Sequence, residues 1–261
     1  MTEPTALSVM HNRVPVADEL RRLLPKMEGW RAAKSFSFGL TAIDRCLPQG
    51  GLACGALHEF VPEQGAMPSA FGFVAALLAR FFSERQKQKL FFILPTYRLR
   101  DYGRPHSHGV RALGLDPTRL VLVETAHWND TLWAIEEALH SGAPAAVVGF
   151  IDKLDLRSSQ RLQLAALDAG LPLFLLRPAQ LLEGSAAATR WRVGPASATR
   201  DRFGLLARSG WRLMLERCRN GRAGEWIVEY DHVAHHFSLA AALADQAFLR
   251  STGEKSFQQA S

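Results

Sequence analysis

Ten residues pose the first chemical question. The run Val61-Pro62-Glu63-Gln64-Gly65-Ala66-Met67-Pro68-Ser69-Ala70 joins a strand-like segment, 56–61, to a helix-like one, 71–83. A loop so placed holds nucleotide phosphates when it reads G-x-x-x-x-G-K-[ST]. Backbone N–H groups cradle the phosphates, the lysine neutralises them, and the hydroxyl holds Mg²⁺. Gly65 and Ser69 remain here, with Met67 and Pro68 between them, but no lysine occurs between Lys34 and Lys87. Pro68 stands about where that lysine belongs. Proline carries no charge and removes an N–H donor. Glu63 adds a negative charge near the phosphate position. Each departure disfavours triphosphate binding, so the loop predicts no nucleotide cofactor.

Arginine is the second signal. The formal net charge is +6, and arginine supplies 25 of the 31 basic residues. Guanidinium pairs bidentately with phosphate and carboxylate, which suits nucleic acid or an acidic partner. A GC-rich coding sequence produces the same excess. Two clusters fall on predicted loops. One is Arg98, Arg100 and Arg104, interleaved with Tyr97 and Tyr102. The other is Arg190, Arg192, Arg200, Arg202 and Arg208. Arginine beside aromatic rings holds phosphates and stacks on bases, so both are candidate contacts for single-stranded DNA or a protein partner. The histidines His106, His108, His232, His235 and His236 lack further ligands at zinc spacing, so no metal is expected. Cys46, Cys54 and Cys218 form neither a metal signature nor a disulfide frame and fit a reducing cytoplasm. No nucleophile elbow is present, so no hydrolase is expected.

The elements that must carry these residues follow from periodicity. Segments 89–94, 119–124, 145–151 and 171–176 are short apolar runs of strand length. Helix-like stretches at 108–115, 131–140 and 158–168 separate them. Continuous apolar strands alternating with helices predict a parallel sheet covered on both faces. After Arg177 the alternation stops. Strand-like runs at 190–193, 211–217 and 225–231, with Asn220-Gly221 between the last two, predict antiparallel strands at the C-terminal end. At the start, Leu20, Leu23 and Leu24 form an apolar stripe on a short helix that needs a surface to bury it. Three parts are expected: a helical arm at 1–35, an α/β core at 36–250 and a disordered tail at 251–261. The longest apolar run, 70–79, is too short to span a bilayer. The first residues lack the form of a secretory signal.

A family resemblance rests on several ordered blocks. Residues 36–52, FSFGLTAIDRCLPQGGL, and the following Leu57-His58-Glu59-Phe60 resemble the entry to the RecA core. Further blocks at 113–120, 132–139, 161–166, 186–193, 211–213 and 217–219 are similar to those of the inducible-mutagenesis protein A (ImuA) family. That resemblance implies a RecA-like core, mostly a parallel twisted sheet flanked by helices. It also exposes absences. RecA proteins place a water-activating glutamate after the strand at 91–94, where this chain has Leu94-Pro95-Thr96-Tyr97. They place a magnesium-binding aspartate at the end of the 145–151 strand, where Gly149 or Phe150 falls, with Asp152 as a displaced substitute. Phosphoryl transfer depends on these charges. The expectation is therefore a RecA fold without ATPase activity.

The resemblance further implies an accessory role in SOS-induced, error-prone translesion DNA synthesis. The implied partners are RecA, the polymerase-like ImuB and, through ImuB, an error-prone replicative-type polymerase. Single-stranded DNA and a second copy of the chain join that set. The leucine arm would dock a partner, and the protein would be cytoplasmic, nucleoid-associated on DNA damage, with no membrane partner. Two alternatives stand beside it. One is a RecA-family repair ATPase with an atypical loop. The other is a RecA-like SOS inhibitor of cell division, a group typically shorter and without the terminal hairpin.

Overall fold

A computed structural model describes residues 34–82, 88–179, 184–200, 202–203 and 206–240, with the backbone alone at 198–200 and 206–207. The leucines of the arm and the tail at 251–261 lie outside the described residues. Strand β1 (Ser35–Phe36) leads into helix α1 (Thr41–Asp44) and β2 (Leu52–Ala53). Strand β3 (Leu57–Pro62) and helix α2 (Met67–Phe81) flank the degenerate loop. Strand β4 (Lys89–Pro95) is followed directly by α3 (Thr96–Tyr102), then α4 (Ser107–Ala112) and β5 (Leu120–Thr125). Helix α5 (Trp128–His140), β6 (Pro144–Phe150), α6 (Leu156–Ala169) and β7 (Leu173–Leu176) complete the alternating part. The remainder is β8 (Thr189–Arg200), β9 (Leu206–Cys218), β10 (Gly224–Asp231) and β11 (His236–Leu239).

The main sheet has nine strands in the order β11-β10-β9-β8-β3-β7-β6-β4-β5. Strands β3 to β7 pair in parallel, β8 runs parallel to β3, and β8 through β11 pair antiparallel. This is the mostly parallel, RecA-like α/β arrangement with an antiparallel C-terminal end that the patterning predicts. The central strands are buried on both faces. In β6, Ala146 and Val148 join the cluster around α2, while Val147 joins the cluster under α5 and α6. A strand buried on both sides reads as an unbroken apolar run, which is why 145–151 was legible.

Helix ends follow local chemistry. Asp155 caps α6, its carboxylate accepting the Ser158 N–H at 2.9 Å. Gly170 ends that helix in the left-handed region, φ 64°. Helix α2 begins at Met67, ahead of the expected 71, because proline is suited to a first helical turn. Nine of its fifteen residues are buried, with Phe73 packed against Phe38, Phe60, Trp211 and Phe237. The antiparallel strands thus wrap α2, and the Trp211 indole N–H donates to the Ser69 carbonyl at 3.0 Å. The turn after β10 is tied down at Tyr230, whose hydroxyl donates to the Leu113 carbonyl at 2.8 Å. Gly114 (φ 86°) leaves room there: a Cβ would stand 2.6 Å from His235 Nδ1.

Two elements depart from expectation. The first arginine cluster was expected in a loop, yet Arg98 and Arg100 lie on α3. A seven-residue helix with few apolar residues gives little periodic signal. In the second cluster Arg190 and Arg192 lie on the strand expected at 190–193, but Arg200 and Arg208, expected in a loop, lie on the paired strands β8 and β9. Gly194, Pro195, Ala196 and Ser197 read as loop in sequence. Pairing with β9 and irregular register between Ala196 and Arg200 hold them extended.

Candidate functional site

The degenerate loop sits at the C-terminal ends of β3, β4, β6 and β7, where open α/β sheets bind ligands. Two of its backbone N–H groups are already engaged. The Glu63 N–H donates to the Val193 carbonyl at 2.8 Å, and the Ala66 N–H to the Glu63 carbonyl at 2.9 Å. Pro68 contributes no N–H to the first turn of α2. Glu63 turns its carboxylate over Gly194, so closely that a Cβ there would stand 2.2 Å from it. Arg212 Nη1 lies 3.8 Å from that carboxylate and its Nε 3.9 Å from Glu225. The loop is therefore fastened to β8 and β9 by its own backbone and its own negative charge.

Helix α3 occupies the space beyond β4. Tyr97 donates its hydroxyl proton to Asp152 Oδ2 at 2.6 Å. Arg98 grips Asp152 Oδ1 through Nε at 3.1 Å and Nη2 at 2.7 Å, and reaches Asp101 through Nη1 at 3.2 Å. The guanidinium carbon also lies 5.2 Å from the Phe150 ring centroid. Burial, with the adjacent Asp152 carboxylate, pushes the Tyr97 hydroxyl far above its ordinary value. Asp152, the displaced substitute for the magnesium-binding aspartate, is thus held by a tyrosine and an arginine of the same chain. Between α2 and α3 a cleft of about 150 Å³ remains, its body formed by Met67, Phe71, Leu94, Leu99, Phe150 and Leu176.

The other sequence candidates are scattered. Arg104 makes a two-point pair with Glu124 at 2.6 and 2.7 Å and keeps 67% of its side-chain surface exposed. Arg100 is exposed on α3. Arg192 pairs with Glu216 across the hairpin. Arg200 ends β8 opposite Leu206 in the register. Arg202 is exposed beyond it, its guanidinium carbon 4.7 Å from the centroid of the exposed Phe203 ring. Arg208 lies 3.5 Å from Glu229 and 3.6 Å from Asp231. Arg190 differs from the rest. It is 14% exposed and bonds Glu59 Oε2 at 2.7 Å, while the fully buried Arg177 bonds Glu59 Oε1 at 2.8 Å.

Sequence reasoning passed over this buried triad. Its signal was Glu59 within the apolar run Leu57–Pro62, because a buried carboxylate requires a cationic partner. His58, on the opposite face of β3, was also passed over. Its ring nitrogens lie 2.8 Å from Thr189 Oγ1 and 2.9 Å from the Ala53 carbonyl oxygen, and burial lowers its pKa to about 4. The neutral ring donates to Ala53 and accepts from Thr189. Among the described residues, no group of three His, Cys, Asp or Glu side chains is placed to hold a metal ion. No described helix is long and apolar enough to cross a membrane.

Strand order, loop position and flanking helices define a RecA-like α/β protein in which the chain's own side chains occupy the nucleotide edge of the sheet. Over 229 residues it is 36% identical to Protein ImuA of Caulobacter vibrioides, in strains NA1000 / CB15N and ATCC 19089 / CIP 103742 / CB 15. The match covers 80% of this chain and 90% of that relative. The chain belongs to the ImuA family. No family model matches it.

Proposed function

We propose that this chain is a non-catalytic accessory protein of damage-induced, error-prone translesion DNA synthesis, and that it acts by docking RecA and the polymerase-like ImuB. Family membership supports the pathway. The observation that carries the mechanism is the filled nucleotide edge: Pro68 in place of lysine, Glu63 fastened to β8 and β9, and Asp152 bound by Tyr97 and Arg98. Phosphoryl transfer takes nearly all its acceleration from positioned charge, and at this edge Arg98 is paired with Asp152 and Asp101 and Arg104 with Glu124. A RecA-like body without turnover can add to or cap a RecA filament and carry a polymerase complex with it. The stripe of Leu20, Leu23 and Leu24 supplies a further docking element in this reading. An error-prone replicative-type polymerase enters through ImuB.

Purified full-length chain is expected to capture RecA and ImuB in separate pull-downs. It is also expected to show no ATP hydrolysis above background, with or without single-stranded DNA. Capture of neither partner removes the docking role. Turnover that depends on Ser69 or Asp152 removes the non-catalytic one. One observation favours an added contact with single-stranded DNA: Arg202 and Phe203 stand exposed at the end of the β8–β9 hairpin, an arginine against an aromatic ring.

A further inference from the structure

Helices α5 and α6 pack side by side, and their outer face is apolar where solvent meets it. Trp133 is 64% exposed and Trp128 46%, and Leu164, one turn beyond Arg161 on α6, is half-exposed. A lone exposed apolar side chain is ordinary, but two indoles and a leucine on adjoining helices form a patch. Between the helices lies a hollow of about 220 Å³, lined by both indoles with Leu132, Ser158, Glu136 and Arg161. Charge divides between the two helices. Helix α5 carries Asp130, Glu136 and Glu137 with no lysine or arginine. Helix α6 carries Arg157 and Arg161, and its one carboxylate, Asp168, stands in the last turn. Asp155, ahead of Arg157, is committed to the helix cap. Glu136 and Arg161 meet through one contact, Nη2 to Oε2 at 2.6 Å. Asp130, Glu137 and Arg157 are exposed and make no ion pair among the described residues.

We infer that two copies of the chain meet on this face, about a two-fold axis running along the helices. An axis in that direction lays α5 of each copy over α6 of the other, so the acidic helix meets the basic one twice. An axis across the helices opposes α5 to α5, and carboxylate to carboxylate. Asp130 near the start of α5 and Arg157 at the start of α6 then face each other between copies. Trp133 and Arg161 line one hollow and so stand at one level. Each Trp133 therefore packs on Arg161 and Leu164 of the other copy. The Arg161 guanidinium, held on one side by Glu136, offers its face to that indole. The three carboxylates of α5 oppose nucleic acid as the occupant. A partner of single sign is repelled by one helix or the other, whereas a second copy satisfies both. Two helices of about 20 Å present less than a standard interface, so the dimer is expected to be weak and to dissociate in the micromolar range.

The test is sedimentation equilibrium of the full-length chain at concentrations spanning the micromolar range, where a monomer–dimer equilibrium is expected. Fluorotryptophan labelling read by fluorine NMR locates the contact. The Trp128 and Trp133 resonances should move with concentration, and those of the buried Trp191, Trp211 and Trp226 should not. Trp133→Ala should weaken self-association at least about tenfold with the thermal midpoint unchanged, since a two-fold contact counts each change twice. Arg157→Glu and Asp130→Lys should each weaken it about fivefold, because each sets like charges together. An equimolar mixture of those two variants should associate as tightly as the parent chain, since both contacts of the mixed dimer again join opposite charges. Asp130 also accepts the His127 N–H at 3.3 Å, and that recovery shows that its loss leaves the chain folded. A monomer at every concentration overturns the inference. So does a dimer that keeps its affinity in Trp133→Ala, or a mixture no tighter than its components. Loss of RecA or ImuB capture in Trp133→Ala, without self-association of the parent, assigns the face to that partner and likewise overturns it. Failure to capture RecA and ImuB beside a dimer of this kind refutes the proposed function and keeps the dimer.

Discussion

Glu59 and His58 are neighbours on β3, and their side chains point to opposite faces of the sheet. Each makes the central strand depend on charge state. Glu59 is shared between Arg177 and Arg190 in a site from which water is excluded. Removing one partner of a buried pair leaves uncompensated charge, which costs several kcal/mol. Glu59→Gln is therefore expected to lower unfolding stability by about 3–5 kcal/mol in urea titration. A loss below about 1 kcal/mol would show that the arginines find other partners. His58 couples stability to pH. Its folded pKa of about 4 lies below the ordinary 6.5, so its contribution is complete above pH 6.5 and is lost as pH falls toward 4. The unfolded chain takes up the proton first. Between pH 7 and 5 the protein should lose roughly 2 kcal/mol more stability than the non-titrating His58→Gln variant. Parallel pH profiles for the two would assign that loss elsewhere.

At the scale of elements, the β8–β9 hairpin and α3 do the most to distinguish this sheet from a nucleotide-binding one. The hairpin places Arg202 and Phe203 beyond the paired strands. If the tip meets single-stranded DNA, the double change Arg202→Ala, Phe203→Ala should weaken binding of a labelled oligothymidine by at least about fivefold, given stacking and phosphate terms of this kind. The thermal midpoint should not move. Unchanged affinity would remove the tip as a DNA contact. The strands and helices of the alternating part were legible because burial on both faces leaves an unmistakable apolar run. The tip and α3 were not. Their conformation comes from pairing that periodicity does not carry, with Arg208 to Arg212 for the hairpin and with the distant Asp152 for α3. A degenerate loop was readable from one absent lysine. The fate of Asp152 was not, because Tyr97 and Arg98 stand more than fifty residues away. The arginines were visible as types, whereas their roles depended on which carboxylate each one meets.

At the scale of the molecule, one sheet carries two environments. The cluster around α2 is enclosed by aromatic side chains from β1, β9, β10 and β11, and the other face is covered by α5 and α6. The loop lies where these parts meet, and Glu63 ties it to the antiparallel end. Restoring a single feature should therefore not restore turnover. Pro68→Lys, alone or with Glu63→Gly, is expected to leave ATP hydrolysis at background in a coupled assay. Tyr97 and Arg98 still hold Asp152, and no glutamate follows β4. A measurable rate in either variant would mean that α3 yields to nucleotide.

Helix α3 lying across the edge of the sheet has a consequence for timing. A protein that hydrolyses its ligand carries a clock, since each turnover alternates tight and loose states. Here the seat is occupied by residues that cannot be consumed or exchanged. Association with a partner then has no internal reset, and its extent follows concentration and intrinsic affinity by mass action. Release must come from the partner's own cycle, from dilution, or from degradation of the chain. The amount of this protein in the cell thereby becomes the variable that sets how much of a complex built on it is present.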